Sequence, residues 1–219
     1  MTTLDFWEIK EELCVFLRNQ NALTIAERGV TTQTDSGTYT NATSHTISRT
    51  NVRNIRSITI AAVLQVLGTD FTVEYTGTPG ATQNCIITYL STKNGAYSIV
   101  YDYGADRIFP DYPRDDLTIK SVPRVSVDVL ASDSSEASLG GGSVVTNVSL
   151  TITAFAESER KVESIIKTIR NAFLANKKSF IQLKFITVIG MGPMLLSPNR
   201  RDKIVQRNID LMSPLNFEE

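Results

Sequence analysis

Gly140-Gly141-Gly142 is the chain's only glycine cluster. Backbone amides in such a run cradle a phosphate where a strand leads in and a helix N-terminus follows, with Lys-Ser or Lys-Thr in place for a P-loop. Ser143 and Val144 instead lead into a strand pattern, so the cluster reads as a hairpin tip. The single histidine, His45, excludes every mechanism that needs two. It sits in a polar stretch with no second ligand type nearby and reads as an exposed, inert side chain. Cys14 and Cys85 are too few for a disulfide framework or a tetrahedral zinc site. Cys85 lies on an apolar strand face and reads as a buried thiol. Asp102, Asp106, Asp111, Asp115 and Asp116 lack the spacing of an EF-hand loop, and Arg107 and Arg114 are interleaved with them. They read as solvated loop charges with local ion pairs. No Ser-His-acid or Cys-His pairing is assembled by spacing. The sequence therefore assigns no catalytic, cofactor or metal-binding residues and points away from an enzyme. The basic cluster Arg200, Arg201, Lys203 and Arg207, offset by Asp202, reads either as a turn and strand face in water or as a surface that meets an acidic partner or passing nucleic acid.

The elements that position these residues follow from period. Phe6, Ile9, Leu13, Phe16 and Leu17 recur at helical spacing, which predicts a helix over residues 4–17. Eleven of the twenty residues from 31 to 50 are Ser or Thr. Such a segment cannot form its own core and is either a long surface loop or an extended β-arm. Strand patterns then follow closely. Phe71, Val73 and Tyr75 alternate, Cys85, Ile87 and Tyr89 form a face, and Lys93-Asn94-Gly95 predicts a tight hairpin turn. Tyr97, Ile99, Tyr101 and Tyr103 share one face, either packed on their own sheet or exposed as a sugar-binding aromatic surface. Pro110 and Pro113 mark a rigid connector.

Val125, Val127 and Val129 alternate, as do Val148, Leu150, Ile152 and Ala154, and the polar stretch between them makes a long hairpin. Val162, Ile165, Ile166, Ile169 and Phe173 predict a helix over 158–175, capped by Ser158. Strands are expected at Ile181 and over 204–211, with a break in pattern across 190–198. The expected fold class is α+β, an antiparallel or mixed sheet packed against two helices. A β-rich insertion over 31–112 interrupts a discontinuous core of 1–30 and 113–219.

The 219 residues allow one large domain or two small ones. A net charge of −1 excludes the chain-wide basic bias of nucleic-acid binders. With 42% hydrophobic and 21% charged residues the chain is too apolar for disorder, and no apolar run approaches a membrane span of about 20 residues. A soluble, non-secreted protein is expected.

The Val122-Pro123-Arg124-Val125-Ser126-Val127 strand opening, the polar loop ending in glycines, the Ala156-Glu157-Ser158-Glu159-Arg160 helix start and the closing Arg207-Asn208-Ile209-Asp210-Leu211 come in a recognisable order. Together with the first helix they resemble the tail terminator (tail completion) proteins of long-tailed bacteriophages and related viruses. The resemblance covers about two thirds of the chain, at its two ends, and rests on element order and texture rather than invariant residues. It implies a structural subunit of the virion, made in the host cytoplasm and placed at the head-proximal end of the tail. There a hexameric ring caps the tail tube, halts its polymerisation and joins it to the neck. The implied partners are neighbouring copies, the tail tube protein, a neck or head-completion protein and the tail sheath. Genome DNA passes through the lumen without sequence-specific contact, and no membrane is involved. Ser138, Gly140, Gly141, Gly142, Arg200, Arg201 and Arg207 are the expected assembly contacts. Residues 31–112 depart from the family pattern. The other function in play is a carbohydrate- or surface-binding β-module, suggested by the tyrosine stripe and the hydroxyl-rich arm.

Overall fold

Ile9, Leu13 and Leu17 bury one stripe of a helix, α1 (Phe6–Asn19), while its other faces carry Lys10, Glu11 and Glu12. The structure is a computed structural model, and it describes residues 6–76, 84–110, 122–136, 143–178, 180, 183, 185–196 and 204–218. After α1 come α2 (Ile25–Arg28), β1 (Val30–Thr46), β2 (Val52–Ile60), β3 (Val63–Leu64), β4 (Phe71–Thr76) and β5 (Asn84–Gly104). Then follow β6 (Ile108–Pro110), β7 (Arg124–Glu136), β8 (Ser143–Ala156), α3 (Glu159–Ala175), β9 (Thr187–Met191), β10 (Leu195–Leu196) and β11 (Val205–Glu218). The contacts divide this chain into two units, one of Met1–Glu27 with Arg107–Glu219 and one of Arg28–Asp106.

The first unit holds a six-stranded sheet in the order β10-β11-β8-β7-β6, with β9 also on β11. All its pairings are antiparallel except β6 with β7. Strand alternation sends Val125 and Val127, Leu150 and Ile152, and Ile209 and Leu211 to one face, where they meet the stripes of α1 and α3. Phe16 and Phe173 touch across the two helices with ring centroids 5.0 Å apart. Each aliphatic side chain fully buried here contributes about 1.5–3 kcal/mol. Ser158 caps α3 by accepting a hydrogen bond from the Lys161 amide. In α2, Thr24 and Glu27 form a reciprocal capping box, each side chain accepting from the other's backbone N–H.

The second unit is a five-stranded antiparallel sheet in the order β1-β5-β2-β3, with β4 also on β5. Its separate core holds Ile58, Phe71, Cys85, Ile87, Ile99 and Tyr101. The 21-residue β5 is the spine, because β1, β2 and β4 all hydrogen-bond to it. Residues 31–46 of the Ser/Thr-rich segment are therefore a strand, satisfied along one side by β5.

Several expectations are corrected. The α+β class does not hold: the described residues are 58% strand and 20% helix, in two sheets of 5–6 strands with only three helices, which is a β-rich fold. The reason is strand length, since β1 and β5 run to 17 and 21 residues where the sequence pattern suggested shorter pieces. Lys93-Asn94-Gly95 does not reverse the chain. Gly95 takes a φ of +101° inside β5, and the register against β1 slips between Tyr39↔Gly95 and Ala42↔Lys93. The turn signal marks a bulge, since glycine supplies positive φ to either device. The strand expected at Ile181 lies largely outside the described residues; of those described there, Phe180, Leu183, Phe185 and Ile186 are not in a strand, and the next strand starts at Thr187. The 190–198 break contains the end of β9 and all of β10. The contact divide falls at Glu27/Arg28 and Asp106/Arg107, where composition suggested 30/31 and 112/113. No helix among the described residues is long and apolar enough to cross a membrane.

Candidate functional site

The expected assembly residues are placed only in part. Ser138, Gly140, Gly141, Gly142, Arg200 and Arg201 lie outside the described residues. Arg207 does not stand free in a basic surface patch. It lies on the helix-facing side of β11, pairs with Glu163 of α3, and donates from Nε to the Gly192 carbonyl at 2.9 Å. Gly192 in turn donates to the Asn208 carbonyl at 3.0 Å. A Cβ at Gly192 would stand 1.9 Å from Asn208 Oδ1, so this approach of the chain to β11 requires glycine.

The face of the six-stranded sheet turned away from the helices carries a shallow groove of about 310 Å3. Thr151, Thr153, Asn208 and Asp210 form its floor, with Leu130 and Leu195 at the sides. Thr151 Oγ1 and Asn208 Nδ2 both donate to Asp210 Oδ1 at 2.9 Å. The carboxylate is thus held by neutral donors, and the floor is a polar, pre-ordered surface without a nucleophile-and-base pair. At one end of the same sheet Arg124 lies over the Phe155 ring, 4.5 Å from its centroid, with both side chains buried.

The second unit contains a charge cluster that sequence reasoning missed. Arg28 is fully buried at the end of α2. Its Nη1 donates to Asp102 Oδ2 at 2.7 Å, its Nε and Nη2 donate to the two Asp106 oxygens at 3.0 and 3.2 Å, and Nη2 also reaches Asn54 Oδ1 at 3.1 Å. Asp102 Oδ1 accepts from Thr32 at 2.7 Å and from Arg56 at 2.8 Å. Two arginines face two aspartates, so the cluster is neutral and well hydrogen-bonded, the condition under which buried charge is tolerated. Burial pushes the Asp102 carboxyl up, but hydrogen bonds from Arg56, Thr32 and Arg28 outweigh it and hold the group below its ordinary value. Asp102 and Asp106 are therefore not solvated loop charges. Asp111, Asp115 and Asp116 lie outside the described residues. A lone arginine ahead of Gly29 has no periodic signature, so only the fold discloses its role.

His45 is half-buried rather than exposed. Its ring sits edge-on to Tyr39 and Tyr97, centroids 5.7 and 5.1 Å away, with Nε2 3.9 Å from Asp35 Oδ2. Burial lowers its pKa, and the nearby Asp35 offsets this only in part. Asp35 accepts from the Ser48 amide and hydroxyl and from Tyr101. Tyr97 stacks on Tyr39 at 4.0 Å over Gly37, where a Cβ would meet the Tyr97 ring at 2.9 Å. The tyrosine stripe is thus packed on its own sheet, and a Tyr39–Tyr89 hydroxyl contact of 2.8 Å closes it off. Cys14 and Cys85 are buried, and burial pushes the Cys85 thiol up to about 12. Among the described residues no group of three or more His, Cys, Asp or Glu is placed to hold a metal ion.

Among the described residues the geometry assembles well-tied polar clusters and a pre-ordered sheet face. No family model matches this chain, and no curated protein matches it either.

Proposed function

We propose that this chain is a virion structural subunit, a tail terminator whose copies close a ring on the head-proximal end of a viral tail tube. The observation that carries the reading is the arm formed by β7, β8 and β11. The β7–β8 register runs on to Glu136↔Val144, and the β8–β11 register to Glu218↔Ser143. Among the residues whose side chains are described, Val148 is the last β8 member of the apolar core under the helices in this direction, towards the Ser143 end of the strand, and Thr146 beyond it is also buried. At about 3.4 Å per residue the paired strands continue roughly 15 Å past Val148. Strands that extend beyond their own core gain stability by lying on another chain, as a ring-former or tube-capping subunit requires.

Under this reading six copies form the ring, the tube protein lies below, a neck or head-completion protein lies above, and a sheath is the lateral neighbour. Genome DNA passes through the lumen and is not read by sequence. Ser138 and Gly140-Gly141-Gly142, in the link between β7 and β8, are contacts with the tube or an adjacent copy. Arg200 and Arg201 add positive charge to the surface that meets acidic partners.

Light scattering on the concentrated protein tests the ring. A species near six times the 24.2 kDa subunit supports it. Tails of uncontrolled length in virus particles lacking the chain support the capping role. A species that stays at subunit mass at every concentration, with retention on a glycan array, would overturn the reading in favour of a carbohydrate-binding module.

A further inference from the structure

A hairpin at the margin of the second unit exposes aliphatic side chains in a concentration its own core does not explain. Ile60 pairs with Val63 across Ala61 and Ala62, whose φ values are 49° and 65°. A two-residue turn of this kind takes left-handed backbone at both positions and is normally built from Asn and Gly. Alanine there costs about 1–2 kcal/mol per residue. Gly95 accommodates the turn, since a Cβ on it would stand 3.1 Å from the Ala61 Cβ. The strained turn holds out Val63, Leu64, Val66 and Leu67, which are 61%, 63%, 54% and 43% exposed. Val63 and Leu64 point to opposite faces of β3, yet both are open to solvent. Leu90 is also exposed and joins them, its amide bonded to the Asp70 carbonyl beside the loop. The nearby charges, Lys93 and Asp70, pair with each other at 3.7 Å.

The first unit carries a second apolar set. β9 and β10 both lie on the far side of β11, so Ile189, Met191, Leu195 and Leu196 stand exposed along one sheet edge. Of the described charges on β11 beside this edge, Arg207 is paired with Glu163, and Asp210, opposite Gly190, accepts from Thr151 and Asn208. Each set presents on the order of 400–500 Å2 of apolar side chain, above what isolated surface residues account for. It is also about the apolar share of one side of a standard interface.

We infer that residues 63–67 and Leu90 of one copy dock on the β9–β10 edge of the next copy. This contact rests on the ring reading and deepens it. Two different patches of matching size and chemistry on one chain make a head-to-tail contact, and such contacts close into rings when the rotation allows. An interface centred on aliphatic residues loses little by desolvation.

The test is a Leu64→Cys/Leu196→Cys variant treated with a short bismaleimide at oligomer-forming concentration. Cys14 and Cys85 are buried and do not compete. Covalent multimers from the double variant, with neither single variant giving more than dimer, support the contact. A protein that scatters as a ring but yields only monomer or an internal cross-link overturns this contact and leaves the ring intact. A protein that stays at subunit mass overturns both. In an independent arm, Leu64→Ser/Leu67→Ser should keep its melting curve and need at least about tenfold more protein to assemble. Unchanged assembly of that variant also overturns the contact.

Discussion

Arg28 and Asp106 are the first and last residues of the second unit, and they are joined side chain to side chain by two hydrogen bonds of 3.0 and 3.2 Å. The guanidinium fork matches the carboxylate, so the two ends of a long excursion are fixed beside each other by geometry as well as charge. Asp102 closes the cluster from β5, and Asn54 closes it from β2.

Replacing Arg28 by Met removes the guanidinium that binds both oxygens of the buried Asp106 and weakens the hold on Asp102. The expected loss is about 3–5 kcal/mol in the second unit, read as a lower urea midpoint by near-ultraviolet dichroism of its tyrosines. Arg28→Met combined with Asp106→Asn should recover part of that loss, because less buried charge then stays unpaired. An Arg28→Met protein with an unaltered midpoint would show that the cluster contributes nothing.

Excising residues 28–106 and joining Glu27 to Arg107 through a short Gly-Ser link should leave the first unit folded. Its core draws on α1, α3 and the six-stranded sheet without any residue of the second unit. A single cooperative thermal transition is the expected outcome, and an aggregated or molten product would contradict it.

Stability of the second unit should fall in acid. The folded Asp102 pKa lies below its ordinary 3.8, so the unfolded chain takes up protons first as pH drops. The stabilisation is therefore complete above about pH 4–5 and is lost as pH falls through the folded value. Asp35 behaves in the same direction, its burial outweighed by hydrogen bonds from Ser48, Tyr101 and Gln33. Urea midpoints taken between about pH 6 and about pH 2 should decline for the native chain, and less steeply for Asp102→Asn.

Ile166 is fully buried on α3, and a carboxylate there has no partner. Ile166→Asp should unfold the first unit or reduce its stability by more than about 3 kcal/mol. Ser158→Ala removes only a cap and should cost about 1 kcal/mol. Equal effects of the two substitutions on the thermal midpoint would mean that the helix face is misassigned.

Much of the framework was legible because it is periodic. Val162, Ile165, Ile166, Ile169 and Phe173 keep helical spacing, and all are buried. The β7 and β8 valines and leucines alternate, and they pair in the hairpin the alternation predicts. What escaped has no local period. Asn94-Gly95 signals positive φ, and a bulge satisfies that as well as a reversal does. The Arg28 contacts to Asp102 and Asp106 span 74 and 78 residues, and no window of sequence contains them. The half-buried state of His45 depends on Tyr39 and Tyr97 stacking over Gly37, which alternation alone does not disclose. The ion pair of Arg207 with Glu163 was likewise illegible, because the two residues sit on different elements.

The spine role of β5 also sets an order in time. β1, β2 and β4 are all made before β5, and each depends on it for its longest ladder of hydrogen bonds. On the ribosome these earlier strands have little to pair with until residues 84–104 emerge, and the second unit then closes in one step. α1 waits longer still, because the strands and the helix that cover its stripe all lie beyond residue 107. Synthesis therefore delivers the second unit complete before the first unit has a sheet to fold on.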